Sequence, residues 1–309
     1  MAGNKPAPCR PLPPQPSFTA VSPEDALIRK RARELKDAAV RGVTSIHAVR
    51  DAIKQAAHSL PSISSVPRIH KHTLDAGAFC ARASEGLPFV VTGLVGRWPL
   101  SEYTLETLRE RFGGLPVRAR VGDYINTAFA ADRAMQDMSL RAYLDLVADS
   151  TQGLPPYLGN LELRELNKLC HWPAWFKKMG PPRFWIGPSG TVTPLHCDYD
   201  DNIFAQIWGA KRIFLSPPHH DEFLYPREAN AILFGSPFDP EAPDYERFPL
   251  ARRAAMIECI VQPGELLYVP AGWYHQVRAL CFSLSANRWA RGLPLGLKAR
   301  AELISPPIG

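Results

Sequence analysis

Beyond Pro155 the chain is cut at strand-length intervals by proline and glycine, and the runs between the cuts are rich in Val, Ile, Phe, Trp and Tyr. Segments this short cannot bury a helical stripe, but they suit the strands of a sandwich or small barrel. Within one of them, T-P-L-H-C-D at 193–198, His196 and Asp198 stand two apart. Side chains i and i+2 of a strand project to the same side, so this pair can grip one ion while Cys197 points away. A distant W-Y-H-Q supplies His275. Two histidines and one carboxylate on one face of an octahedron hold Fe(II) and leave three positions for a bidentate cosubstrate and O2. Taken alone, an H-x-D step is also compatible with a simple hydrogen bond.

The first half reads differently. Residues 1–21 carry prolines at 6, 8, 11, 13, 14 and 16 with little to bury, which predicts a disordered or extended tail. Ser22-Pro23-Glu24-Asp25 has the composition of a helix start. A helix to about residue 40 and a second over 45–59 form a predicted α-helical appendage over 22–65. From residue 66 strands and helices alternate: strands at 67–72, 88–92 and 116–121, and helices at 75–84, 104–112 and 139–148. Residues 202–216 read as two strands meeting at Gly209-Ala210. In the second, Lys211, Ile213 and Leu215 share a face. A lysine on an apolar face needs an anion unless it sits at a strand edge, a position Lys211 also fits.

Composition narrows the partner classes. Net charge is +6, yet Lys and Arg are spread along the chain, which argues against nucleic acid. Six cysteines without a C-x-x-C pair point away from structural zinc and disulfides and toward a reducing, cytoplasmic setting. No apolar run reaches membrane-span length.

Several segments in fixed order carry a resemblance: G-T-V-T-P-L-H-C-D-Y-D-D-N-I-F-A-Q-I-W-G-A-K-R (190–212), P-D-Y-E-R-F-P (243–249), P-G-E-L-L-Y-V-P-A-G-W-Y-H (263–275) and S-L-S-A-N-R-W (283–289). Together they resemble the JmjC, cupin-type 2-oxoglutarate oxygenases, and within them the hydroxylase branch that includes the factor-inhibiting-HIF asparaginyl hydroxylase and the JmjC arginyl hydroxylase. The resemblance spans about 69–290. It implies a mainly β protein with flanking helices, its core a double-stranded β-helix (jelly-roll, cupin) over 66–290, followed by a short C-terminal segment, 291–309.

It also implies roles. His196, Asp198 and His275 would ligate Fe(II). Lys211, fifteen residues after His196, would pair with the distal carboxylate of 2-oxoglutarate, helped by hydroxyls of Thr193 and Tyr157. Asn202 and Asn287 would line the chelating end, and Trp185 and Trp289 would wall the pocket. For substrate, Tyr199, Asp200 and Asp201 near the mouth would suit a cationic or amide group. Against this, V-R-A-R-V (117–121) carries Arg120 near where arginyl hydroxylases place an acid, which would suit an acidic or amide side chain. The expected activity is hydroxylation of a peptide or protein side chain. N-methyl-lysine demethylation, a tRNA-modifying or small-molecule oxygenase, and a silent metal-binding cupin stand as alternatives, and a homodimer is possible.

Overall fold

The computed structural model describes residues 50, 53, 54, 57, 58 and 60–290, except 130–132, 150–152, 177–178, 199 and 231–232. The predicted tail, the first appendage helix and the C-terminal segment lie outside the described residues, as does Tyr199. In chain order the elements are β1 (Arg68–His70), α1 (Ala76–Ser84), β2 (Phe89–Thr92), α2 (Leu105–Phe112), β3 (Pro116–Arg120), β4 (Met135–Ser139), α3 (Leu140–Asp149), β5 (Tyr157–Leu161) and α4 (Arg164–Asn167). There follow β6 (Arg183–Gly187), β7 (Val192–Asp198), β8 (Asp201–Trp208), β9 (Lys211–Ser216), β10 (Arg227–Asn230), β11 (Leu233–Gly235), β12 (Ile257–Val261), β13 (Leu266–Val269), β14 (Tyr274–Ala279) and β15 (Ser283–Ala290).

Local chemistry explains the early helices. Asp75 accepts from the Ala78 amide to start α1, Thr104 and Thr107 cap each other reciprocally at α2, and Ser139 accepts from the Ala142 amide at α3. The strand predicted over 67–72 is shorter: at Lys71 the chain turns into a 3-10 turn, Lys71–Thr73. Strand β4 lacked a sequence signal, because M-Q-D-M-S is polar and finds its place only by pairing with β3.

Two sheets face each other. The larger runs β1-β2-β13-β8-β15-β6-β5-β3-β4 and the smaller β10-β11-β7-β14-β9-β12. The mainly β, cupin-type jelly-roll architecture is thus the one observed. Strand periodicity sorts the side chains. Ile203, Ala205, Leu266, Tyr268, Leu284 and Ala286 leave the large sheet outward to pack with Phe79 of α1, Leu108 of α2 and Leu144 of α3. Phe204, Leu267 and Val269 point the other way, to meet Ile213, Leu215 and Val277 of the small sheet. Each fully buried side chain of this size contributes roughly 1.5–3 kcal/mol. Leu195, Cys197 and Tyr274 cover the outer face of the small sheet with Phe234 and Phe248.

Strands β8 and β9, which meet at Gly209-Ala210 as expected, do not pair with each other. They belong to different sheets, β8 pairing β13 and β15, β9 pairing β12 and β14. The dipeptide is a corner that carries the chain across the core. Gly209 has φ +64°, and a Cβ there would lie 2.3 Å from the Phe282 carbonyl oxygen. Gly209→Ala is therefore expected to cost about 2 kcal/mol or more, combining a left-handed backbone with a backbone clash. A lowered urea midpoint with unchanged slope would show it; a midpoint equal to the parent's would refute it.

Where it is described, the second appendage segment is helical at 50, 53, 54 and 57, and it docks on the barrel. Arg50 is paired with Asp221, Lys54 with Glu222 at 3.0 Å, and Ile53 packs over Gly272, beside the turn that leads into β14. No helix among the described residues is long and apolar enough to cross a membrane. The described cysteines, 80, 170, 197, 259 and 281, are all free.

Candidate active site

His196 and His275 face each other across neighbouring strands: β14 pairs β7 with His275 opposite His196, ring centroids 4.2 Å apart. One ligand atom from each of His196, Asp198 and His275 lies within 4.8 Å of the others. Each imidazole is oriented by the backbone. Nδ1 of His196 lies 2.8 Å from the Pro194 carbonyl and Nδ1 of His275 lies 3.1 Å from the Trp273 carbonyl. A carbonyl only accepts, so each Nδ1 carries the proton and each Nε2 presents its lone pair to the shared space. Burial, followed by the neighbouring His275, holds the His196 pKa well below the ordinary histidine value, which keeps that ring neutral. Trp289 Nε1 donates to Asp198 Oδ2 at 2.9 Å and fixes the carboxylate.

Thr193 lies on the same cavity wall as His196, although three residues separate them. Strict alternation would put them on opposite faces. Between the pairs His275–His196 and Val277–Thr193, β14 advances two residues and β7 advances three, so β7 carries a bulge around Pro194. Proline has no amide to lose from the ladder, and bulges are where strands accept it.

Deeper in the barrel stands Lys211, at 1% exposure. Its ammonium donates to Ser285 Oγ at 2.9 Å and to Tyr157 Oη at 3.3 Å, and among the described residues no carboxylate pairs with it. Burial alone lowers its pKa to about 7. Tyr157 also holds a side-chain hydrogen bond with Thr193, and burial raises its phenol to about 12, so it stays a neutral donor. Lys211 pairs with Ala279, four residues along β14 from His275, or about 13 Å along the strand. A lysine side chain and a short diacid together span such a distance.

Asn202 and Asn287 line the space between, with Asn287 Nδ2 donating to Asn202 Oδ1 at 2.8 Å and the Asn287 Oδ1 buried without a partner. Trp185 and Trp289 wall it, and Phe204, Ile213, Leu267, Val269 and Val277 supply apolar sides. The residues present fit a divalent iron with a dicarboxylate cosubstrate. The donor set is nitrogen and carboxylate oxygen, and the buried ammonium lacks the anion it needs.

Substrate candidates separate here. Asp200 and Arg120 line a second cavity of about 300 Å³ that also reaches Thr193, His196 and Asp198. Asp201 does not face the mouth. It is 3% exposed at the start of β8, and its Oδ1 accepts from the Ala271 amide at 2.9 Å, which pins the Pro270 turn ahead of His275. Asp200 lies in the bend between β7 and β8, whereas Asp201 is the first residue of β8 and is held by the Ala271 amide. Three residues escaped sequence reasoning. Ser285 accepts from Lys211, Phe129 packs 5.2 Å from the His196 ring, and Arg133 lines the second cavity. Only Ser285 had a signal, its parity with Asn287 on β15.

Comparison with known proteins agrees with this geometry. The family model described as a cupin-like domain matches residues 78–292. The chain is 43% identical over 216 residues to the Arabidopsis thaliana lysine-specific demethylase JMJ30, covering 66% of this chain and 50% of the relative. It is 30% identical over 214 residues to the Xenopus tropicalis lysine-specific demethylase 8, covering 65% and 47%. The human bifunctional peptidase and (3S)-lysyl hydroxylase JMJD7 is 26% identical over 287 residues, covering 79% of this chain and 91% of that one. The chain thus spans about half the length of the two demethylases it matches. With its jelly-roll, its facing histidines and a family match across more than half its length, this chain belongs to the cupin-like, JmjC family.

Proposed function

We propose that this protein is an Fe(II)- and 2-oxoglutarate-dependent oxygenase that hydroxylates a side chain of a peptide or protein, releasing succinate and CO2. The observation that carries the reading is the pairing of the His196, Asp198 and His275 donors with a buried lysine that lacks an anion in the same barrel. Iron held there supplies O2 chemistry, in which one oxygen atom ends in succinate as 2-oxoglutarate loses CO2 and the other ends as a hydroxyl on a substrate C–H.

The protein's own contribution is placement. Lys211, Tyr157 and Ser285 neutralise and orient the distal carboxylate. Nδ1–H bonds to the backbone hold both imidazoles in one tautomer, and Trp289 holds the carboxylate of Asp198. The apolar wall of Phe204, Ile213, Leu267, Val269 and Val277 keeps water from the reacting end. In this reading residues 66–290 form the catalytic domain, acting on cytoplasmic protein. A second reading, N-methyl-lysine demethylation, draws support from the names of two relatives. It uses the same C–H chemistry, with the hydroxymethyl product leaving as formaldehyde.

The test is a peptide library incubated with the protein, Fe(II) and 2-oxoglutarate, read by succinate and by mass. Product heavier by one oxygen, dependent on both additions and absent with His196→Ala, is expected. Formaldehyde with loss of a methyl mass would select demethylation, and equal succinate from parent and His196→Ala would reject an enzyme at this site.

A further inference from the structure

Arg120 ends β3, opposite Tyr157 on β5, and is 5% exposed. Its guanidinium carbon lies 5.1 Å from the Trp185 ring centroid and 5.8 Å from that of Tyr157. It passes over Gly159 so closely that a Cβ there would come within 3.0 Å of it. These contacts hold the plane of the guanidinium, yet they use none of its hydrogens: among the described residues, the buried Nε and Nη1 have no hydrogen-bond partner. Among the described residues the groups that act on its charge are Tyr157, Arg133 and Tyr124, none of them a carboxylate. A buried guanidinium in this state is a fork waiting for an acceptor.

The fork lies on the cavity of about 300 Å³ that also reaches His196 and Asp198. Arg133, Arg183 and Asp200 line it too. Arg183 is paired with Glu162 at 3.5 Å, and Asp198 belongs to the ligand triad and to Trp289. Arg133 Nη1 donates to the Ala128 carbonyl at 3.1 Å, so among the described cations of this wall Arg120 is the one without a hydrogen-bond partner. A lysine or arginine entering here would bring a further cation against a desolvated one. A carboxylate would accept two parallel N–H bonds from Arg120 while its carbon chain lies toward the triad.

Resting on the oxygenase reading above, we propose that the side chain this protein acts on is acidic, an aspartate or glutamate of a peptide, seated with its carboxylate on Arg120 and its methylene carbons toward His196 and Asp198. Arg120 is then the residue that sets specificity. The amide analogues fail because they put an N–H₂ against the fork, and the basic ones because of charge.

The test uses the full chain with Mn(II) and 2-oxoglutarate, and one peptide scaffold carrying Asp, Glu, Asn, Gln, Lys, Arg or phosphoserine at its centre. Binding is read by fluorescence anisotropy, which does not require turnover. The Asp or Glu peptide is expected to bind at least about tenfold more tightly than its amide and basic counterparts. Arg120→Met should erase that difference, Arg120→Lys should keep part of it, and Arg120→Glu should move the preference toward Lys and Arg. If Arg120→Met does not fold, the parent panel and Arg120→Lys decide.

Equal binding of all peptides, no measurable binding of the acidic ones, a preference for Lys, Arg or phosphoserine, or equal competition by free aspartate would each overturn the proposal. So would an Arg120→Met variant that loses 2-oxoglutarate affinity, measured calorimetrically, as much as it loses the acidic peptide, because Arg120 would then serve the cosubstrate. Acid-selective binding without succinate release would instead reject the oxygenase reading and leave the binding specificity standing.

Discussion

Replacing Lys211 by methionine is expected to weaken cosubstrate binding sharply and, at neutral pH, to stabilise the cosubstrate-free protein. The lysine is desolvated and lacks a carboxylate, so its pKa falls from 10.5 to about 7. The sign follows from proton counting. Below pH 7 both folded and unfolded chains carry the proton and the full cost of burying charge is felt. Between 7 and 10.5 the unfolded chain binds more protons, so stability rises with pH and the cost fades. At pH 7 that cost is roughly 4 kcal/mol. Urea midpoints should therefore favour Lys211→Met at pH 6.5, with the gap closing by pH 10. Affinity for 2-oxoglutarate should fall by about 30-fold or more, the loss of about 2 kcal/mol or more that removal of a buried charge partner brings. A methionine variant less stable than the parent at pH 6.5 would mean that Lys211 already has an anionic partner.

Asp198→Ala is the second large effect. The carboxylate is the third member of the candidate metal triad and takes the Trp289 hydrogen bond, while its half-buried place at the end of β7 carries little of the core. Affinity for Co(II), followed by its visible absorption, should drop by more than the ~10–100-fold typical of losing only a supporting hydrogen bond. Succinate release should fall with it, and the melting temperature without metal should change little. Cys197→Ala is the matched control: its side chain belongs to the outer cluster with Leu195 and Tyr274, so it should cost stability and leave metal affinity alone. Unchanged Co(II) binding in Asp198→Ala, or an equal loss in Cys197→Ala, would remove the triad from its role.

Much of the fold was legible because strand and helix periodicity are local properties. Alternation put Lys211, Ile213 and Leu215 on one face without knowledge of any partner, and capping residues at 75, 104 and 139 marked the helix starts correctly. The convergence of His196, Asp198 and His275 was legible for the same reason. His196 and Asp198 lie two apart on one strand, and His275 follows a turn whose Pro and Gly announce it. Where local signal is weak the reading stopped short: polar β4 is a strand only because β3 is beside it, and β1 yields to a 3-10 turn after three residues.

The sequence by itself determined which atoms are available to this site, namely two imidazoles, a carboxylate, a lysine and the hydroxyls around it, and on which strands they ride. Only the tertiary structure decided how they meet, because strand register and sheet membership depend on pairing partners far away in the chain. The bulge at Pro194 brings Thr193 round to the His196 side against its parity, and the corner at Gly209 sends β9 to the opposite sheet, so that Lys211 looks across the barrel. The same packing settles the charges around the second cavity. Asp201 is spent on the Ala271 amide, while Arg120 is clamped by Trp185 and Gly159 with its Nε and Nη1 buried and unpartnered among the described residues. Two residues that look equally charged and equally free in the sequence differ because one found a partner on folding and the other found only walls.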